Sequence, residues 1–169
     1  MGKLIFIANI SLDGFTTDKD GDFNWTEPND EVFMFITDLI RPMHTHIYGR
    51  RMYETMMVWE TDPRFAEESA LMRDFAEVWQ AADKIVFSRT LEKVSTLKTR
   101  IEHDFHPKEV RQLKAASDHD IHIAGLDEFL AYLGFVASGT GGLGRHNESR
   151  PTLLVEVTVE VADPNIVAV

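Results

Sequence analysis

The chain has no cysteine. That absence removes disulfides, thiolate nucleophiles and cysteine-ligated zinc together. Long apolar runs are also missing. No stretch approaches the roughly 20 residues needed to cross a bilayer, so no membrane partner is expected. Basic residues are scarce, with 17 Lys and Arg against 28 Asp and Glu and a formal net charge of −11. A nucleic-acid-binding face needs the opposite balance, and no nucleic-acid partner is expected. An anionic small molecule stays compatible, because a few arginines can set the field locally. No G-x-S-x-G elbow is present, so hydrolase chemistry has no support. The start, MGKLIFIANISLDGF, lacks a full hydrophobic region and a small-residue cleavage site. A secretory signal is not expected, and a cytoplasmic location is.

What is present fits one α/β domain over residues 1–169, with 44% apolar and 27% charged residues. The most informative stretch is Thr45 to Met56, THIYGRRMYETM. A β-leaning run, His46-Ile47-Tyr48, stops at Gly49. Arg50 and Arg51 follow, then a helical pattern begins. Glycine allows close backbone approach, a helix start attracts anions, and forked guanidinium donors suit phosphate. Strand, Gly-Arg-Arg, helix is therefore a candidate phosphate clamp. An ordinary strand-to-helix turn with two solvated arginines is the competing reading. A second strand, Lys84 to Phe87, breaks at Ser88-Arg89-Thr90, where a hydroxyl, a cation and a hydroxyl could hold another phosphate. A plain loop with one cation is the alternative there.

These two segments, in this order, resemble the dihydrofolate reductase superfamily. In that family a Gly-Arg-x-(Thr/Met)-(Trp/Tyr)-Glu segment opens a helix under the cofactor pyrophosphate, and an (Ile/Val)-(Val/Leu)-(Phe/Leu)-Ser-Arg segment lies near the adenosine end. Ser11-Leu12-Asp13-Gly14 looks like the segment shared with the reductase domain of riboflavin biosynthesis and its small bacterial relatives. Trp25-Thr26-Glu27-Pro28-Asn29-Asp30 is similar to the Trp-x-x-Pro-x-Asp pattern at which dihydrofolate reductases place a substrate carboxylate. The likeness covers residues 1 to 125. It implies a mainly parallel sheet flanked by helices with a C-terminal antiparallel hairpin. It also implies an NADPH-dependent oxidoreductase acting on a small heterocycle, pterin-like or ribosylaminopyrimidine-like. The implied cofactor residues are Ala8, Gly49, Arg50, Arg51, Ser88, Arg89, Thr90 and Gly125. The implied catalytic residues are Asp30 and Asp13, with Trp25 and Phe33 on the substrate side. A homodimer through C-terminal strands is expected, because the sheet would otherwise leave an edge uncovered. A catalytically weak, ligand-binding relative on the same scaffold is the competing functional reading.

The period of apolar residues places the remaining elements. Leu4 to Ile10 reads as a first strand. Asn29 or Asp30 caps a helix to Ile40 whose inward face is Val32, Phe33, Phe35, Ile36 and Leu39. Pro42 stops it. A helix runs from Arg50 to about Val58, Thr61 to Ser69 forms a loop, and Ala70 to Ala82 forms a helix with Leu71, Phe75, Val78 and Trp79 inward. Thr96 to Ile101 reads as a short edge strand. Pro107 opens a helix to about Ala116, and Asp120 to Gly125 is a strand ending in glycine. Thr152 to Val159 and Asn165 to Val169 read as a final hairpin. Relative to the family, the chain is shortened after Gly125, which runs directly into Leu126 to Leu133. Either a crossover helix of about a dozen residues is missing, or Leu126 to Leu133 is itself the helix. The first alternative is preferred. Gly139 to Gly144 fits G-x-G-x-x-G literally, but Arg145 to Pro151 is a poor helix start, so a Rossmann fingerprint is not assigned.

Hydride transfer asks the protein mainly to position a nicotinamide against a C=N or C=O bond. Asp30, beside Trp25, Phe33 and Phe35, could hydrogen-bond an amidine-like edge of a pterin or pyrimidine. It could equally be a first-turn acid of its helix. Asp13 could reach the same pocket or simply bind its own turn. The seven histidines form no ligand array, and the Asp18-x-Asp20-Gly21-Asp22 loop lacks the downstream glutamate of a calcium site, so no metal is expected. Met52, Met56 and Met57 read as core.

Overall fold

The computed structural model describes residues 2–11, 28–125 and 152–159. Strand β1 (Leu4–Ser11) is followed by helix α1 (Asp30–Ile40), β2 (Thr45–Gly49) and α2 (Arg50–Met56). Two short helices, α3 (Val58–Thr61) and α4 (Pro63–Glu68), lead into α5 (Ala70–Ala81). Then come β3 (Asp83–Phe87), β4 (Thr99–Glu102), α6 (Pro107–Ala116), β5 (Ile121–Ala124) and β6 (Thr152–Val159). Among the described residues the sheet has six strands, in the order β4-β3-β2-β5-β1-β6. The first five in that order are mutually parallel, as expected, and β6 lies antiparallel along the whole of β1. The second arm of the expected hairpin, the segment Leu126 to Leu133 and the glycines from Gly139 to Gly144 lie outside the described residues.

Side-chain alternation sends successive residues to opposite faces of the sheet. Leu4, Ile47, Ile85, Ile121 and Ile123 face one side, where they meet Val110 and Leu113 of α6. Ile5, Ile7, Tyr48, Val86 and Ala124 face the other, where they meet Ile40, Tyr53, Phe75 and Trp79 of α1, α2 and α5. Both faces are therefore covered, as a parallel sheet requires.

The helices begin where their caps dictate. The Asn29 side chain accepts from the Val32 N–H at 3.0 Å, and Ser69 accepts from the Met72 N–H at 3.1 Å. Arg41 then ties the end of α1 to α5, donating to both carboxylate oxygens of Asp74 at 3.0 and 2.7 Å. Several expectations need correcting. Val32 and Phe35 do not face inward; Phe35 is 58% exposed. The buried stripe of α1 runs instead through Phe33, Ile36, Thr37 and Ile40, with Leu39 beside it. Position 35 lies about 200° around the helix from Phe33, so the two cannot share that stripe. The helix expected from Arg50 to Val58 ends at Met56, and α3 starts after Met57. Thr61 to Ser69 is not a loop: Asp62 caps α4 and Pro63 occupies its favoured first position. The edge strand starts at Thr99 rather than Thr96.

Polar residues also sit on the α5-facing side of the sheet. Lys84 is 1% exposed, and its ammonium donates to the carbonyls of Trp79 at 3.2 Å and Ala82 at 3.0 Å. Lys98 donates to the Ala81 carbonyl at 2.8 Å. The last carbonyls of a helix have no partner within it, and these two lysines supply what α5 lacks. Burial lowers the Lys84 pKa, and Glu60, with a carboxylate oxygen 3.9 Å away, works against that shift. Lys84→Met should therefore remove about 2–4 kcal/mol of stability. Denaturant unfolding checks this; a loss below about 0.5 kcal/mol would mean that Lys84 behaves as an ordinary solvated charge.

Candidate functional site

In a parallel sheet every strand ends on the same edge. Gly49 closes β2 opposite Phe87 of β3, and Tyr48 stands opposite Ala124 of β5. The register of β1 against β5, Phe6 opposite Ile123, puts Ala8 level with Gly125 when extended. Ala8, Gly125, Gly49-Arg50-Arg51 and Ser88-Arg89-Thr90 thus line one rim in the order β1, β5, β2, β3. At about 4.8 Å between strands, that rim spans roughly 14 Å. Open α/β sheets place ligands outside the carboxyl ends of their strands. All eight residues singled out for a cofactor lie on this rim.

The turn after β2 is short. Gly49, in extended conformation, is the residue before α2, and Arg50 begins the helix. The Arg50 guanidinium donates from Nε to Glu54 Oε1 at 2.7 Å and from Nη1 to Thr90 Oγ1 at 2.9 Å. It therefore couples the β2–α2 turn to the turn after β3. That second turn is shaped by Ser88, whose Oγ accepts from the Thr90 N–H at 3.2 Å and the Leu91 N–H at 3.0 Å. Arg89 is 83% exposed at its side chain and approaches Asp104 at 3.6 Å. Arg51 is exposed and meets no carboxylate among the described residues.

The substrate-side candidates are more scattered. Asp30 is the first residue of α1 and is exposed, and Asn29 supplies the cap in its place. Because α1 delivers the chain to the start of β2, its Asp30 end lies toward the rim. Phe33 is packed with Phe75 and Trp59, ring centroids 5.0 and 6.0 Å away, so it belongs to the core beneath α1. Phe35 points away from it into solvent, so those two phenylalanines do not line one pocket. Asp13 and Trp25 lie outside the described residues.

Two partners of the rim arginines escaped the sequence reading. Glu54, four residues after Arg50 on one helix, was findable from spacing alone. Asp104 follows a neighbouring strand, and no local pattern announces it. Among the described residues no group of three or more His, Asp and Glu converges as a metal site. An open groove of about 350 Å³ between α3, α4 and α5 is lined by Glu60, Asp62, Glu67 and Glu77 against the single cation Arg73, a balance of the wrong sign for phosphate.

No family model matches the sequence, and no curated protein matches it. Solved structures do show similarity. One is a crystal structure at 2.12 Å of a protein provisionally described as a riboflavin biosynthesis protein from Shewanella sp. PV-4. It is 21% identical with a TM-score of 0.47, and the match covers 74% of this chain and 65% of that one. This chain thus spans less than two thirds of that protein's length. At that level of similarity the likeness assigns neither cofactor nor substrate.

Gly125 follows β5 with φ at +62°, and a Cβ placed there would collide with the Met52 Cβ. Both effects oppose any side chain at this point of the rim. Gly125→Ala should cost about 1–3 kcal/mol. Adding Met52→Gly, which removes the Cβ that a side chain at position 125 would strike, should return only the part due to the collision, which a double-mutant cycle in denaturant measures. Full recovery would mean that backbone conformation contributes nothing.

Proposed function

We propose that the chain is an NADPH-dependent reductase of a small heterocycle, pterin-like or ribosylaminopyrimidine-like. The observation that carries this reading is the convergence of Gly49-Arg50-Arg51, Ser88-Arg89-Thr90 and Gly125 on one edge of the parallel sheet, bridged by the Arg50–Thr90 hydrogen bond. These are the segments whose sequence resembles the dihydrofolate reductase superfamily. The sheet of five parallel strands flanked by helices is consistent with that fold.

The donor set fits an anionic dinucleotide. Three guanidinium groups stand along one rim of a chain whose net charge is −11. Arg51 and Arg89 would hold phosphates, since both are exposed and the Arg89–Asp104 pair is open to solvent. Arg50 and the Ser88 hydroxyl, already engaged with Glu54, Thr90 and the turn, would shape the site. When bound, NADPH would supply the hydride. The protein would supply phosphate recognition, orientation across the rim, and a carboxylate at Asp30 to hold the heterocycle's amidine-like edge.

Titration of the purified chain with NADPH and NADH, followed by cofactor fluorescence, tests the reading. NADPH should bind more tightly, and Arg89→Ala should narrow that difference by removing a charge-assisted partner of the 2′-phosphate. Equal affinity for the two cofactors in the unmodified chain would count against the assignment.

Asp30→Asn should lower turnover of a reducible heterocycle and leave NADPH affinity nearly unchanged. If it lowers stability while turnover per folded molecule is preserved, Asp30 is a first-turn acid of α1 and nothing more.

A further inference from the structure

Two histidines lie where the chemistry proposed above does not reach. His46 of β2 and His122 of β5 are register partners on the α5-facing side of the sheet. They are 0% and 7% exposed, and their ring centroids are 5.0 Å apart in perpendicular planes. His46 Nδ1 lies 3.0 Å from the Tyr48 hydroxyl, and that oxygen also accepts the Trp79 indole N–H at 3.1 Å. Two ring nitrogens, His46 Nε2 and His122 Nδ1, are buried without a hydrogen-bond partner.

The directions open to these bonds fit a neutral His46. Indole N–H can only donate, so Tyr48 oxygen is an acceptor toward Trp79. The one tyrosine proton is then free to point at His46 Nδ1 when that nitrogen is bare. A proton arriving on Nδ1 would confront the tyrosine O–H, and the hydroxyl would have to turn its hydrogen away, losing its acceptor, and accept from Nδ1 as well as from Trp79. The relay in which Tyr48 donates to His46 is thus made by a neutral imidazole, and protonation of Nδ1 reverses that bond. The surroundings also disfavour a cation. Lys84 of β3 approaches from the next strand, with its ammonium 4.3 Å from the centroid of the Trp79 ring. Ile5 of β1 is the residue opposite His122 on its other side and is apolar. Among the described residues no carboxylate bears on either ring, because Glu60 is directed at Lys84.

We infer that the His46–His122 pair is a proton-operated latch: neutral, it holds α5 on the sheet through Tyr48 and Trp79, and doubly protonated, it releases that helix layer. Burial lowers the His122 pKa from 6.5 to about 4. Burial likewise pushes His46 well below 6.5, helped by the neighbouring His122 and Lys84, while the Met43 backbone opposes the shift in the smallest measure. Both groups therefore bind protons more readily unfolded than folded. Their contribution is intact above about pH 6.5 and is lost progressively as pH falls toward about 4.

The full unmodified chain gives the test. Its unfolding equilibrium constant, measured by denaturant titration, should rise about thirtyfold between pH ~6.5 and ~5.5 if two groups take up protons, and about fivefold if one does. A change below about twofold would overturn the latch. Near-UV circular dichroism should be lost reversibly with a midpoint between about pH 6.5 and 4. The His46→Gln/His122→Phe double variant should retain the signal to a pH about one unit lower. An unchanged midpoint in a folded variant would also overturn the proposal. Should the variant not fold, the proton uptake of the unmodified chain decides alone.

Discussion

Parallel pairing of β4, β3, β2, β5 and β1 is the constraint on which the rest of the structure depends. A parallel strand cannot be reached by a tight turn, so each connection must cross back over a face of the sheet. Except between β3 and β4, where residues 88–98 form a loop, those crossings contain the helices, and they leave both faces buried. The same rule delivers every strand's last residue to one edge. There the chain is released from the ladder and becomes free to bind something else. Gly49, Ser88 and Gly125 stand together for this reason, although 76 positions separate the first from the last. The grouping of these turns follows from topology before any side chain is considered.

The same pairing creates a difficulty on the face covered by α5. His46, Lys84 and His122 alternate into that face on three neighbouring strands. Apolar residues there would bury at lower cost. Each polar group instead needs a partner with defined direction. Lys84 finds the carbonyls at the end of α5, and Tyr48 finds the Trp79 indole. The joint between sheet and helix is consequently directional as well as hydrophobic. Ridges and grooves alone tolerate some sliding, whereas two ammonium–carbonyl bonds and an indole–phenol bond accept one placement of α5.

Regular elements were legible in the sequence because their periods and caps are local. Asn29 before α1, Ser69 before α5 and Pro107 in α6 all mark helix starts where the structure has them. The short helix α4 was missed even though Asp62-Pro63 is a sound start signal, because its six residues are too few to display a helical period. The inward face of α1 was misjudged at Val32 and Phe35 because hydrophobicity was read without its angle. Residues 33, 36, 37 and 40 form one stripe at helical spacing, and position 35 cannot join it. The rim was legible at Gly49-Arg50-Arg51 and Ser88-Arg89-Thr90 through the family resemblance. Its partners divide by sequence distance: Glu54 lies one helical turn from Arg50, whereas Asp104 reaches Arg89 only because β4 lies beside β3.

Charge on the rim is distributed unevenly, and the unevenness has a physical consequence. Arg50 is held by an i,i+4 carboxylate and a hydroxyl on the neighbouring turn, so it fixes one turn against the other. Its charge is largely answered by Glu54. Arg89 has only a solvent-exposed carboxylate at 3.6 Å, an interaction worth little in water. Such a pair yields readily to a phosphate, which offers more negative charge and more acceptor oxygens. Arg51 has no carboxylate to give up among the described residues. In a chain with 28 acidic residues, these two guanidinium groups are therefore the ones whose field an incoming anion would feel, while Arg50 keeps the distance between their turns constant. Rigidity and attraction are assigned to different arginines of one short motif, and that division follows from which of them already has a carboxylate one helical turn away.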